Sequence, residues 1–301
     1  MIIQKILAKH RDKNLFFLCG RPGQKPAGSM RQRMLASCTI FFIFLVMLCL
    51  DSKGFAQQRI KDFYLSNYKE NGTQDWEIQG DQATVHDKFV DIENMNAKYY
   101  YEEDTVSIKS QKAKLDKEDF AVHLEDDVHI ENPEGMKLSS DSLDWKRAEN
   151  KVQTADWVQA QKDEMQIRAK GFTADTKFRN VDFQEDVEVK LPNKESDTHT
   201  TITCSGPLEI EYNEGKAVFY NNVVVEDEQG KLFADKATVF FDTKKKGMKG
   251  ITKIIAEQNV KIIKDENITF AEKATYLGDE GRIVLEGSPR LIYFPKQDET
   301  P

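Results

Sequence analysis

Beyond residue 56 the chain alternates apolar and polar side chains in short stretches. Examples are Trp76-Glu77-Ile78, Val106-Ser107-Ile108, Leu208-Glu209-Ile210-Glu211-Tyr212 and Ile283-Val284-Leu285. A period of two marks a half-buried β-strand. No run of ten or more residues carries the apolar stripe of a helix. A second pattern overlies the alternation: an apolar residue, any residue, a small residue, then an acidic or polar one. It occurs at Ile78-Gln79-Gly80-Asp81, Ile108-Lys109-Ser110-Gln111, Leu138-Ser139-Ser140-Asp141 and Ile167-Arg168-Ala169-Lys170. It returns at Ile202-Thr203-Cys204-Ser205, Leu232-Phe233-Ala234-Asp235 and Phe270-Ala271-Glu272. The first three copies are thirty residues apart, the period of a stack of supersecondary units.

A complementary signature fills the other half of the repeat: Asp127-Val128-His129-Ile130, Asp186-Val187-Glu188-Val189, Asn222-Val223-Val224-Val225 and Asn259-Val260-Lys261-Ile262. Asp and Asn tolerate left-handed backbone geometry and bond to their own backbone, so each predicts a turn into the next short strand. Apolar parity also changes within a repeat. Leu232 and Ala234 share one register, whereas Ala237, Val239 and Phe241 share the other. A strand keeps its faces across such a shift only by bending or bulging, here at Asp235-Lys236. Each unit is therefore expected to be two strands meeting at a corner. The fold class is all-β, a stack of V-shaped strand pairs with an apolar interior and charged outer faces. The polar stretch from Leu191 to Thr200 predicts a boundary between modules 57–194 and 195–301.

The first fifty-six residues differ. They hold nine Lys and Arg against Asp12 and Asp51, a net charge of +7, so the remainder carries −15 within the overall −8. Met34 to Leu50 is an uncharged apolar run behind Arg31 and Arg33, oriented to leave the N-terminus in the cytoplasm. Gly54-Phe55-Ala56 supplies small residues for signal cleavage, which makes 1–56 a signal peptide or an anchor helix, with Met30 as an alternative start. The expected product is exported and acidic, a charge that disfavours nucleic acid as a partner. Cys19, Cys38 and Cys49 lie in this leader and only Cys204 lies beyond it, so neither a disulfide framework nor a cysteine zinc site is expected.

Several segments together resemble a known family. Phe63-Tyr64-Leu65, Tyr68, Gly72 and Trp76 to Gly80 are similar to the opening of LptC-type lipopolysaccharide-export proteins, as are Gly135 to Trp145, Val152-Gln153-Thr154 and Gly171 to Asp175. Cys204 to Tyr212, Ala217 to Val223, Ala234 to Ala237, Ala274-Thr275-Tyr276 and Leu285 to Pro289 resemble the OstA/LptA-type module. The resemblance implies an incomplete, open β-jellyroll that holds the acyl chains of lipopolysaccharide. It implies as partners an inner-membrane ABC exporter complex and other jellyroll bridge proteins, joined edge to edge, with end-to-end self-association, in the periplasm.

On this reading the inward positions of the repeat are the lipid-facing candidates. In the first module they are Trp76, Ile78, Ile108, Leu115, Leu138, Leu143 and Trp145. In the second they are Leu208, Ile210, Leu232, Val239, Phe241, Phe270 and Tyr276. The same alternation also fits a filled sandwich, that is, a structural or adhesive repeat protein. A polysaccharide-acting β-stack enzyme is a further alternative. His86, His123, His129 and His199 sit in no metal or triad motif, and the acidic runs Glu102-Glu103-Asp104 and Glu125-Asp126-Asp127 read as solvated turns. Lys244-Lys245-Lys246 reads the same way. No glycine-rich phosphate loop occurs, so no catalytic residue, metal or cofactor is expected.

Overall fold

Every alternating stretch forms a strand, because β-branched and aromatic residues on one face can be buried while the other face stays wet. The computed structural model describes residues 58–101, 104–193, 198–244, 250–278 and 280–294. The expected signal or anchor segment 1–56, with its three cysteines, lies outside the described residues. So do Glu102, Glu103, Lys245 and Lys246.

The first nine strands are Gln58–Tyr68 (β1), Gln74–Val85 (β2), Phe89–Tyr101 (β3), Asp104–Asp116 (β4), Val122–Glu131 (β5), Met136–Lys146 (β6), Lys151–Lys162 (β7), Met165–Asp175 (β8) and Asn180–Asn193 (β9). They are followed by Thr198–Cys204 (β10), Leu208–Glu211 (β11), Lys216–Asp227 (β12), Gly230–Phe241 (β13), Ile251–Lys264 (β14), Asn267–Leu277 (β15), Arg282–Glu286 (β16) and Arg290–Ile292 (β17). All seventeen belong to one antiparallel sheet. Successive strands pair in chain order. β10 and β11 together fill one strand position between β9 and β12, and β16 and β17 share the position beside β15. The two described ends of the polar stretch, on β9 and β10, pair with each other, Leu191 with Thr200 and Asn193 with Thr198.

The predicted corner is a seam that crosses the sheet. Pairing register shifts between Lys109 and Lys112, Glu125 and Val128, Thr154 and Trp157, Tyr220 and Val223, Phe233 and Lys236, and Glu257 and Val260. Two residue types alternate along the seam. On the strands carrying the small-residue step, Ser110, Ser140, Ala169, Cys204 and Ala234 are buried at the inside of the bend. On the intervening strands, Asn94, Asp126, Asp127, Asp186, Asn221, Asn222 and Asn259 take positive φ. The small residues let the two arms approach, and the Asn and Asp residues turn the backbone at low steric cost. Gly80 shows how tight the approach is: a Cβ there would lie 2.8 Å from the Glu93 carbonyl oxygen and 2.9 Å from the Phe63 ring.

Asp127, Asp186, Asn222 and Asn259 thus sit inside continuous strands and do not open new ones. An isolated left-handed residue is accommodated as a bulge while hydrogen bonding resumes on its far side. The result is an all-β, open jellyroll, a long meander folded over along its own middle.

Candidate functional site

Directly paired residues of an antiparallel sheet share a face, so the register traces what lines the interior. On one arm a row runs from Leu65 through Ile78, Ala97, Ile108, Ile130, Leu138 and Ala160. It continues through Ile167, Val189, Ile202, Val225, Leu232, Ile262 and Thr269 to Leu291. On the other arm a row runs from Val85 through Val90, Leu115, Val122, Trp145, Val152, Ala174 and Val181. It continues through Ile210, Ala217, Val239, Ile254 and Tyr276 to Ile283. Nearer the seam, Phe172, Phe183, Leu208, Phe219, Ala237, Ala256, Ala274 and Leu285 form a third. Among the described residues, these three rows form a largely apolar track that contains no charged side chain.

The predicted positions distribute over this track. Ile78, Ile108, Leu138 and Leu232 lie on the first row; Leu115, Trp145, Ile210, Val239 and Tyr276 lie on the second; Leu208 lies on the third. Leu143 pairs with Leu124 beside it. Trp76, paired with Tyr99, and Phe241, paired with Ile251, lie nearer the arm tips and pack against the main core. Phe270 is the exception. It pairs with Lys261 and Arg290, and Lys261 pairs with Phe233, so it stands on the outer face. The inward position there is Thr269.

Packing along the track is uneven. In the first half the arms meet directly: Leu124, Val128, Val158, Phe172 and Phe183 are 0 % exposed. Tyr99 of one arm meets Trp145 of the other edge-on at 5.3 Å. The arm tips there are clasped by Arg147, which pairs with the buried Asp75 and lies 5.8 Å from the Tyr99 ring centre. The Trp145 indole N–H is buried without a partner.

From β8 to β14, toward the arm tips, the arms diverge around a cavity of about 600 Å³, a volume in the range of about 300–1,000 Å³ typical of ligand sites. Leu208, Ile210, Phe219, Val239, Phe241 and Ile251 line it from one arm, and Met165, Ile167, Val189, Leu191 and Ile202 from the other. A polar rim closes its near end. Lys162 bonds Glu134 at 2.9 Å and stands 4.4 Å over the Tyr212 ring. Tyr212 packs edge-on to Phe241 at 6.2 Å and directs its hydroxyl at the Met136 sulfur, 3.8 Å away. Burial pushes the Tyr212 phenol up to about 12. Asp242 and Lys244 also stand at this rim, in a turn where Asp242 accepts the Lys244 backbone N–H.

Beyond the cavity the packing thins. A small cluster of Ala234, Ala256, Val260 and Ala274 continues the core, and the last strands leave Ile283, Leu291 and Tyr293 more than half exposed.

Met165, Tyr212, Phe219 and Ile251 are among the cavity residues that lie outside the lipid-facing candidates named from the sequence. The alternation Leu208 to Tyr212 and Ala217 to Phe219 carried the signal for two of them. For Met165 and Ile251 it lies in pairing between distant strands.

The polar clusters lie elsewhere. His123 is held on the outer face between Asp144 at 2.6 Å and Glu125 at 3.1 Å, and the Asp144 bond raises its imidazole. His129 pairs with Asp127 and His86 with Asp91, each at 2.9 Å. Burial raises the Cys204 thiol, which disfavours a reactive thiolate. Among the described residues no group of three or more His, Cys, Asp or Glu side chains is arranged to hold a metal ion.

Two known families match the chain in succession. Residues 57–192 match the family described as lipopolysaccharide-assembly, LptC-related. Residues 204–299 match the LptA/(LptD N-terminal domain) LPS transport proteins. No curated protein matches the chain.

Proposed function

We propose, from the premise that this chain joins an LptC-related module to an LptA/LptD N-terminal module and so works in lipopolysaccharide transport, that it is a periplasmic carrier shielding acyl chains between its two arms. One observation carries the reading: the cavity of about 600 Å³ is lined by the same inward rows that run the length of the sheet. Each acyl methylene moved from water to such a wall gains about 0.8 kcal/mol. The gain is spread over many similar side chains, so a chain shifted by one strand exchanges like for like and meets no deep trap. The polar rim at Lys162, Glu134 and Asp242 leaves a phosphorylated headgroup outside.

Transport itself takes energy from a partner, an inner-membrane ABC exporter, in keeping with a sequence that has no glycine-rich phosphate loop. The carrier performs no chemistry. Neighbouring jellyrolls, or further copies of the chain, dock on the two sheet edges by strand pairing, which turns an aggregation hazard into an assembly device.

Dense packing in the first half favours a second reading for that half, a structural or adhesive module with a filled core. Native mass spectrometry of the protein with lipopolysaccharide, beside Phe241→Asp, tests both. Bound lipid that is lost in the variant supports the cavity as the carrier site. No bound lipid in the wild type leaves the structural reading.

A further inference from the structure

Opposite the apolar track, the outer face of β4–β9 is dished into a polar groove of about 690 Å³. Its floor is two cross-strand rows. One is Ser107, Glu131, Lys137, Gln161, Gln166 and Lys190. The other is Lys109, His129, Ser139, Gln159, Arg168 and Glu188. Adjacent strands are about 4.8 Å apart, so each row presents a side chain at that interval over roughly 24 Å.

Three features distinguish this patch from an ordinary wet face. First, Lys109, Lys137, Arg168 and Lys190 outnumber Glu131 and Glu188; Lys137 pairs with Glu131 at 3.9 Å and Lys190 with Glu188 at 2.7 Å, so Lys109 and Arg168 are the positive excess of the groove in a chain whose overall charge is −8. A concave surface with a net excess of one sign attracts the opposite charge. Second, Gln159, Gln161 and Gln166 stand together, and each amide both donates and accepts, as vicinal hydroxyls require. Third, Trp157 stands 42 % exposed on the face of Gln159, two residues before it, and the Arg168 guanidinium lies 4.3 Å from its ring centre. An exposed indole is a flat apolar platform with a polar edge.

From these we infer that the outer face of β4–β9 is a binding site for an anionic oligosaccharide. The cations take its phosphate or carboxylate groups, the amide rows take its hydroxyls, and Trp157 takes an apolar sugar face at the rim. A peptide joining by strand addition needs an unpaired edge, and here every strand from β4 to β9 is paired on both sides. A bilayer surface rewards several inserted apolar side chains, whereas the two floor rows are polar and Trp157 stands beside them. The site faces away from the acyl cavity and does not depend on it.

The test is calorimetric titration of the full-length chain, in a sugar-free nonionic detergent, with the phosphorylated oligosaccharide left after complete deacylation of lipopolysaccharide. Wild type binds. Lys137→Glu with Arg168→Glu weakens binding at least tenfold, Gln159→Ala with Gln161→Ala weakens it severalfold, and Phe241→Asp leaves it intact. The uncharged pair carries the test should charge reversal disturb folding. Absence of binding by wild type, or equal binding by both double variants, overturns the proposal. So does equally tight binding of pyrophosphate or hexaglutamate, which marks a plain anion site. Loss in Phe241→Asp would place the ligand in the cavity, against the inference.

Discussion

Asn259, with φ of 51°, donates its side-chain amide to the Asp235 carboxylate at 2.6 Å, across the corner where β13 and β14 bend together. Asn94 donates to Asp81 at 2.8 Å in the same way, and Asn222 to the Ser205 hydroxyl at 3.1 Å. The acidic or polar member of the small-residue step on one strand is thus the acceptor for the left-handed residue on its neighbour. The two sequence signatures are halves of one device, and its repetition bends the sheet along a line.

Replacing Asn259 separates its two contributions. Asn259→Gly keeps the left-handed backbone and loses the bond to Asp235, a loss of about 1 kcal/mol. Asn259→Val adds to this the strain of a β-branched residue at positive φ, about 1–2 kcal/mol more. Urea denaturation should rank wild type above Gly above Val. A Val variant as stable as the Gly variant would show that the corner does not constrain this residue.

Gly80 is required by space. The Cβ of Ala at this position would press on the Glu93 carbonyl and the Phe63 ring. Since a backbone atom is one obstacle, relief requires β2 and β3 to separate locally, and overpacking of this kind costs about 1–3 kcal/mol. Gly80→Ala should lower the urea midpoint and speed amide exchange first in Phe63, Leu65 and Glu93. Uniform exchange across the sheet would contradict a local corner strain.

The corners were legible in the sequence because a parity break within an alternating run has few physical solutions. The break at Asp235-Lys236 is the register shift between Phe233 and Lys236. What misled was the assumption that a left-handed Asn or Asp ends a strand. Phe270 was misplaced for a related reason. Phe270-Ala271-Glu272 aligns with Phe233-Ala234-Asp235, so Phe270 is the counterpart of outward Phe233, and Thr269 that of inward Leu232. One position of frame reverses the face. The alternation alone did not reveal the cavity; only the family resemblance implied an open interior. Filled and open interiors use the same alternation, and only the divergence of the arms around Tyr212 and Phe241 separates them.

Tyr212 supplies a pH test of the rim. Its phenol titrates near 12 in the folded protein against an ordinary value of 10.0. The unfolded chain therefore loses this proton first, and the stability tied to the neutral phenol, full below pH 10, is lost as pH rises from 10 to 12. The loss attributable to this group is on the order of 2 kcal/mol. Tyr212→Phe should flatten the fall of the urea midpoint between pH 10 and 12 relative to wild type, while leaving the profile from pH 6 to 9 parallel. Identical alkaline slopes in the two proteins would show that the ring is not buried in solution.

The two sheet edges provide the last test. Among the described residues β1 ends the sheet on one side, with Tyr64 and Tyr68 exposed; on the other, β16 and β17 expose Ile283, Leu291, Ile292 and Tyr293. An edge with unpaired backbone groups and apolar side chains is a template for strand addition, and charged side chains are the usual means of blocking one. Removing Ile283 to Tyr293 strips the edge but uncovers β15, so a second variant is needed that keeps the backbone. Ile283→Lys with Leu291→Lys and Tyr293→Lys places three charges on an edge that a second copy would have to bury. In sedimentation at rising concentration, wild type should show a growing weight-average mass. The triple-lysine chain should remain at the mass of one copy, with unchanged strand content. Equal self-association of both proteins would remove this edge from the assembly and leave β1, or neither edge, as the contact.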